Sequence, residues 1–463
     1  MKLALVLLAA AAASTVHLAP PRPGYAVAPN QLCDGYPRLP IETAKGMCGG
    51  LVYGPPPEGL RPSQRLIRLP RTLLFLRGGD LLVVDLGGWE TRQGAVWRLN
   101  LHPGSPPHVT KLLSGLVMPH TAAIGPDGGV YIGEMGRIFR FNPDSADPAA
   151  TVETVVANLP SNHLHEDRHP LSSFIFDADG SLLVNVGAPS DQCTPQQGPS
   201  ASSLCDEVQG DPPLAAVWRF EYLGNGHWED KPKLYARGLR NSIALVRHAS
   251  GTILQAENGI DVDDPAFPYE AINRLVPGGD YGWPYCVEAA TPAPLWTGAN
   301  QRDCKGDWRR QPLLFLPPHG APLSLLYYHG GMFPELEGNL IVTLHGFRAT
   351  GSRILAFPVD AKGEPRKSQK ASYFAYSASG EPPTLHRYRP GPSASGLILT
   401  PRWDALKGVR PAGAPVGLAI SPDGALWVAE DRNGTIIRFS RDAPPDRSQG
   451  AGPSSTTAGH VGP

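Results

Sequence analysis

Six residues of this chain could do acid–base or anion-binding chemistry, and they recur at matching places in a repeat. His169 precedes Asp179 by the same ten positions that separate Arg240 from Ser250, and Asp179 and Ser250 each stand just before a turn glycine. His169 and Arg240 therefore share a register. Asn241 follows Arg240 directly; His120 and Arg71 each come just after a proline that opens an apolar run; His345 closes the run LIVTLHG. A neutral imidazole can take a proton near neutral pH, and a guanidinium fork holds carboxylates or phosphates. Converging on one cavity, these side chains would supply a general base and anchors for an anionic ligand. The bland alternative is that each binds water and satisfies loop backbone groups.

The repeat that would position them appears six times. Its clearest copies, PHTAAIGPDGGVYIGEMGRIFRF (Pro119 to Phe141) and APVGLAISPDGALWVAEDRNGTIIRF (Ala414 to Phe439), share a proline, an apolar stretch, Pro-Asp-Gly and a closing Arg-Phe. Weaker copies run from Pro70 to Leu99, His169 to Ala188, Arg240 to Gly259 and Ala321 to Gly346. Each reads as strand, tight turn, strand, with glycine supplying the positive φ. No stretch carries a helical period over several turns. Self-similarity at this spacing predicts an all-β chain, a six-bladed β-propeller whose innermost strands line a central channel and bring the six residues to one mouth. The later copies lie further apart, so long insertions fall on loops, where function concentrates.

Composition agrees with turn-rich β structure: 463 residues, 52 Gly, 51 Pro and 41% hydrophobic residues. A net charge of −1 without a basic stripe argues against nucleic acid as a partner. The opening MKLALVLLAAAAAST has one Lys, an apolar run and small residues, which predicts an export signal over residues 1–19, cleaved between Ala11 and Ala19. The expected location is periplasmic or extracellular, and no later segment is apolar enough to span a membrane. Residues 20–65 read as a lead-in, 66–443 as the propeller and 444–463, rich in Ser, Gly, Pro and Thr, as a disordered tail. The six cysteines fall into three local couples, Cys33 with Cys48, Cys193 with Cys205 and Cys286 with Cys304; neighbour pairing is the simplest of the possible connectivities. The loop HLHEDRH, His163 to His169, matches no common metal-ligand spacing and reads as a solvated loop, and DVDD, Asp261 to Asp264, reads as a turn.

Several segments together resemble the soluble quinoprotein glucose/sorbosone dehydrogenase family, including its pyranose dehydrogenase branch, from about Leu66 to Phe439. The most specific are GLRNSIALVRHASGTILQAENG and, after an insertion, EAINRLVPGGDYGWPYC. HGAPLSLLYY at His319 and LIVTLHG at Leu340 are similar to the sorbosone and pyranose branches. The resemblance implies oxidation of a sugar with pyrroloquinoline quinone (PQQ) as hydride acceptor and calcium polarising the quinone. It makes His169 the base, Arg240 and Asn241 cofactor contacts, and the carbonyls of Gly259 and Ile260 calcium ligands. It also places His345 against the cofactor; His120 and Arg71, from their matching repeat positions, are read as further cofactor contacts. Where the family carries an Arg four residues after the base, this chain has Ser173, with Arg168 just before the base. After His345 the family's Ser-Trp-Asn-Arg is replaced by Phe347 to Thr350, and Asn258 and Ile260 depart from its commonest calcium loop.

The expected activity is thus a PQQ- and calcium-dependent sugar dehydrogenase delivering electrons to an external acceptor. Two rivals differ in chemistry: a calcium-dependent lactonase, which needs side-chain carboxylates converging on a channel metal, and a non-catalytic propeller that binds glycan or protein.

Overall fold

The computed structural model describes residues 25–56, 59–61, 64–160, 169–170, 173–195, 204–346, 351–366, 374–375, 384–385, 397–401, 403 and 413–442. Residues 1–19, where the sequence predicts an export signal, Arg168 with most of the HLHEDRH loop, positions 347–350 and the residues beyond Asp442 lie outside them.

Six antiparallel sheets follow one another along the chain as the blades of a propeller. Their innermost strands are Pro70–Phe75, Thr121–Ile124, Phe174–Phe176, Ala244–Arg247, Pro322–Tyr327 and Pro415–Ile420. The second strands are Leu81–Asp85, Val130–Glu134, Leu182–Val186, Ile253–Glu257, Leu340–Leu344 and Leu426–Glu430. Every residue of these second strands except Glu257 is buried. They read as continuous apolar runs rather than alternating ones because a neighbouring blade covers each face.

The chain closes its ring with its own beginning. Met47–Tyr53, within the segment that the sequence sets before the first repeat, is the outermost strand of the sixth blade, antiparallel to Thr435–Arg441 from Met47↔Arg441 to Tyr53↔Ile436. Its apolar alternation is weak, and its two glycines hide it: a Cβ at Gly50 would stand 2.8 Å from Tyr36 Cβ, so the close packing beneath the strand excludes a side chain there. The Cys33–Cys48 disulfide ties the preceding turn to it. On the channel side, a Cβ at Gly417 would lie 2.0 Å from the Arg71 carbonyl oxygen, so the first and last inner strands meet only because residue 417 has no side chain.

All three cysteine couples pair as neighbours. The insertion after Leu275 runs back along the third blade as a short parallel strand, Gly279–Asp280 beside Ala236–Arg237, and carries the Cys286–Cys304 bridge. No helix of the described residues is long and apolar enough to cross a membrane.

Deleting Met47–Tyr53 leaves Thr435–Arg441 as an unpaired edge. The expected outcome is a lower melting temperature and self-association on size-exclusion chromatography; an unchanged melt would contradict closure by this strand.

Candidate active site

In four blades the second strand ends in an acid that accepts backbone N–H groups of the loop entering that same blade. Asp85 takes those of Leu69 (2.8 Å) and Arg68 (3.2 Å), and Glu134 takes that of Val117 (2.6 Å). Glu257 takes those of Arg240 (2.6 Å) and Asn241 (3.3 Å), and Glu430 takes that of Ala414 (2.8 Å). Each acid latches the loop that leads to the channel mouth, so latch and functional side chain lie within a few residues of each other. Burial pushes Glu257 up to about 7, against the pull of its hydrogen bonds; burial and the adjacent Asp431 charge do the same to Glu430, also to about 7.

Beyond the latches, inner-strand residues of all six blades enclose a cavity of ≈ 390 Å³, of small-molecule size. Arg71 and His120 are both in its wall. Pro70 pairs with Asp85 and Thr72 with Val84, so Arg71 is an extra residue in its strand, and the bulge turns its side chain out of the ladder. Its guanidinium pairs with Asp431, and its Nη2 lies 3.4 Å from His120 Nε2. A guanidinium can only donate, so Nε2 accepts and the His120 proton sits on Nδ1, 3.2 Å from Thr121 Oγ1. Burial, then the Arg71 charge, drives the His120 pKa well below its ordinary value; this imidazole is neutral. His345 Nε2 donates to the other Asp431 oxygen at 2.8 Å. Burial would raise Asp431, but the charges of His345 and Arg71 and their hydrogen bonds outweigh it and bring it down to about 2. One carboxylate thus holds residues from the first and fifth blades.

A second cluster stands at the same end of the third and fourth blades. His169 Nδ1 lies 2.6 Å from the Ala188 carbonyl, and the Ala188 N–H donates to the Arg240 carbonyl at 2.8 Å. A carbonyl only accepts, so Nδ1 carries a proton, and in the neutral tautomer of such a ring the lone pair is on Nε2. A Cβ at Gly187 would stand 2.5 Å from His169 Cβ, so residue 187 must be glycine for the histidine to sit there. Arg240 is buried, its Nη2 2.6 Å from Asp191 Oδ1, its Nε 3.2 Å from the Asp191 carbonyl and its Nη1 3.0 Å from the Asn258 carbonyl. Asn241 Oδ1 is buried without a hydrogen-bond partner among the described residues. Ser173 sits in the cavity wall, its hydroxyl donating to the Ile243 carbonyl at 2.7 Å; in place of a cation it joins the inner strands of the third and fourth blades.

The loop of Gly259 and Ile260 is clamped on both sides of one peptide: Arg240 holds the Asn258 carbonyl, and the Gly259 N–H donates to Glu270 at 2.6 Å. Burial raises Glu270 to about 7. The next two carbonyls, of Gly259 and Ile260, accept no hydrogen bond from the described residues. In the sole cluster of three metal-ligating side chains among the described residues, Cys193, Cys205 and Glu207, the two cysteines are joined in a disulfide.

Asp431, Asp191, Glu257 and Glu270 are the site residues that sequence reasoning missed. The strand endings LLVVD, VYIGE, ILQAE and LWVAE repeat an acid at one register position, which is a readable signal for the latches. Asp431 follows Glu430 where Asn258 and His345 stand in their own blades. Asp191 lies in an insertion and has no repeat equivalent.

A closed six-bladed propeller with buried histidines, buried guanidiniums and a polar channel mouth is the scaffold of a small-molecule enzyme. Residues 132–370, half of the chain, match the family model described as Glucose / Sorbosone dehydrogenase, and the chain belongs to that family. It is 26% identical over 429 residues to a pyrroloquinoline quinone-dependent pyranose dehydrogenase of Coprinopsis cinerea, an alignment covering 82% of this chain and 53% of that protein. The chain therefore spans about half the length of the curated relatives it matches. Among solved structures, a Trichoderma reesei carbohydrate-active enzyme of family AA12 superposes with a TM-score of 0.61 at 19% identity, covering 89% of this chain and 100% of that one. The holo form of the Coprinopsis cinerea pyranose dehydrogenase PQQ domain gives 0.58 at 20% identity, covering 88% and 99%. At these identities the superpositions speak for the fold.

Two outcomes follow from the geometry. Gly187→Ala should leave the sheets intact by circular dichroism yet shift the His169 imidazole resonances; an unmoved spectrum contradicts the contact. The three raised glutamates bind protons in the folded chain that the unfolded chain releases, so stability falls as pH rises from about 4.5 through 7. Asp431, depressed to about 2, acts oppositely: its contribution, present above about pH 4, is lost as pH falls toward about 2. Thermal melts should therefore peak at about pH 4, and a melting temperature that rises up to pH 8 contradicts the burial-driven shifts.

Proposed function

We propose that this chain is an exported PQQ-dependent dehydrogenase that oxidises a sugar, with calcium held by the carbonyls of Gly259 and Ile260 and His169 as base. The observation that carries the reading is the hydrogen bond from His169 Nδ1 to the Ala188 carbonyl, which fixes the ring of the proposed base within one residue of Arg240 and, in the neutral tautomer, directs its basic lone pair to Nε2.

The residues present suit the cofactor. The buried Asn241 Oδ1 lacks a donor, the buried Arg71 Nε lacks an acceptor, and two consecutive carbonyls on a clamped loop accept no hydrogen bond from the described residues. Arg71 is offset by Asp431 and Arg240 by Asp191, so the side chains alone leave the mouth near neutral. A polycarboxylate ligand would then need a cation beside it, which agrees with calcium on backbone oxygens rather than on a carboxylate cluster.

Bound PQQ would supply the acceptor for the hydride leaving the sugar carbon. His169 Nε2 takes the hydroxyl proton, and as the ring becomes cationic the Ala188 carbonyl dipole stabilises it. Asn241, fixed through its backbone by Glu257, presents its side-chain amide at the rim. Arg240 holds the Asn258 carbonyl and so sets the loop whose next two carbonyls would bind the metal. Neutral His120 and the Arg71–Asp431–His345 chain fix the opposite wall and leave one guanidinium nitrogen for a ligand carboxylate or quinone oxygen.

The test is dye reduction by purified protein with PQQ and calcium added or withheld, over aldoses, sorbosone and fucose, beside His169→Ala. Activity should need both additions and fall by roughly 10²–10⁴ in the variant, the range of a general base. Full activity in the variant would remove His169 from the role. No dye reduction together with no change in quinone absorbance on titration would favour the non-catalytic propeller.

A further inference from the structure

A second cavity, of ≈ 230 Å³, lies outboard of Arg240 and belongs to none of the chemistry above. Its wall includes Gln209, Arg237, Asp280, Trp283, Tyr285 and Arg302. Gly238, two residues before Arg240, also lines it, and the indole N–H of Trp283 donates to the Asp191 carbonyl at 3.1 Å, the same oxygen that takes Arg240 Nε. The cavity thus backs onto the mouth through a single shared carbonyl.

Its charges do not cancel. Arg237 Nε pairs with Asp280 at 3.1 Å and the Arg302 charge acts on the same carboxylate, so two guanidiniums face one acid. The Arg302 guanidinium lies 3.8 Å from the Tyr285 ring centroid and 5.2 Å from that of Trp308, and is half-buried. No hydrogen bond or ion pair engages it among the described residues, and the rings hold this flat fork in the cavity wall. The walls are preorganised: Cys193–Cys205 and Cys286–Cys304 staple the two loops, and the Cys205 N–H donates to Tyr285 Oη at 3.0 Å, joining one loop to the other.

We propose that this cavity is a distal subsite for a carboxylate-bearing sugar, a uronic acid residue. Arg302 takes its carboxylate as a bidentate partner, and Asp280 and Gln209 accept from its hydroxyls. The volume suits one pyranose ring. The position, next to the mouth on the outer side, suits the residue adjoining the one that is oxidised. The ligand class rests on Arg302 alone; only the link to a substrate chain rests on the proposed dehydrogenase reading.

The test is isothermal titration of the full purified chain with galacturonate and with galactose, with and without added quinone, beside Arg302→Met and Arg302→Lys. Galacturonate should bind at least tenfold more tightly than galactose, weaken about tenfold in Arg302→Met, recover partly in Arg302→Lys and weaken with added salt. Equal binding of the two sugars, or an unchanged galacturonate affinity in Arg302→Met, overturns the subsite. If Arg302→Met does not fold, the comparison of the two sugars on the unsubstituted chain still decides. Failure of quinone titration with intact galacturonate selectivity would sink the dehydrogenase reading and leave the subsite standing.

Discussion

The backbone of a channel mouth has no strand partner, and the way this chain satisfies it organises everything else. Strand ladders pair the blades' interiors, but the loops that cross to each inner strand bring N–H groups into a region shielded from water, where an unmet donor costs about 1–3 kcal/mol. Asp85, Glu134, Glu257 and Glu430 meet those donors from the ends of their second strands. The third and fifth blades have apolar Val186 and Leu344 at that position, and the polar residue one place earlier makes a different bond: Asn185 Oδ1 accepts from the Ser242 N–H at 3.0 Å, and Thr343 Oγ1 donates to the Val416 carbonyl at 2.8 Å. Both bonds run to the next blade. Loop fixation and ring cohesion are in this way one network, and the site residues inherit their rigidity from it.

That network also explains the protonation pattern. Burial pushes Asp85, Glu257 and Glu430 toward the neutral form, whereas Asp431, facing His345 and Arg71, is held ionised. Two adjacent carboxyls, Glu430 and Asp431, take opposite states because one faces the backbone and the other faces cations. The same separation of tasks recurs in the fourth blade, where Glu257 holds the backbone of Arg240 while Asp191 holds its guanidinium.

The architecture was legible because the repeat is written in strand, glycine turn and strand, and six copies admit few other folds. Shared register brought His169 and Arg240 together on the page before the structure did. Closure by Met47–Tyr53 was not legible, since its partner lies almost four hundred residues away and Gly49 and Gly50 break the apolar pattern. Asp431 was hidden by its neighbour: an acid pair at a strand end reads as a solvated turn until the ring closes and Arg71 arrives from the first blade. Asp191 and Arg302 sit in insertions, where position is set by disulfides and cross-loop bonds rather than by any period.

The central claim is that the mouth formed by His169, Arg240, Asn241 and the Gly259–Ile260 loop binds the quinone and its calcium. A crystal structure of the protein with PQQ and calcium tests it most directly. The account predicts quinone density at that mouth, the metal on the Gly259 and Ile260 carbonyls, and His169 Nε2 facing the reacting face with Nδ1 still on Ala188. Density elsewhere, or a metal bound by side-chain carboxylates away from this loop, would contradict it.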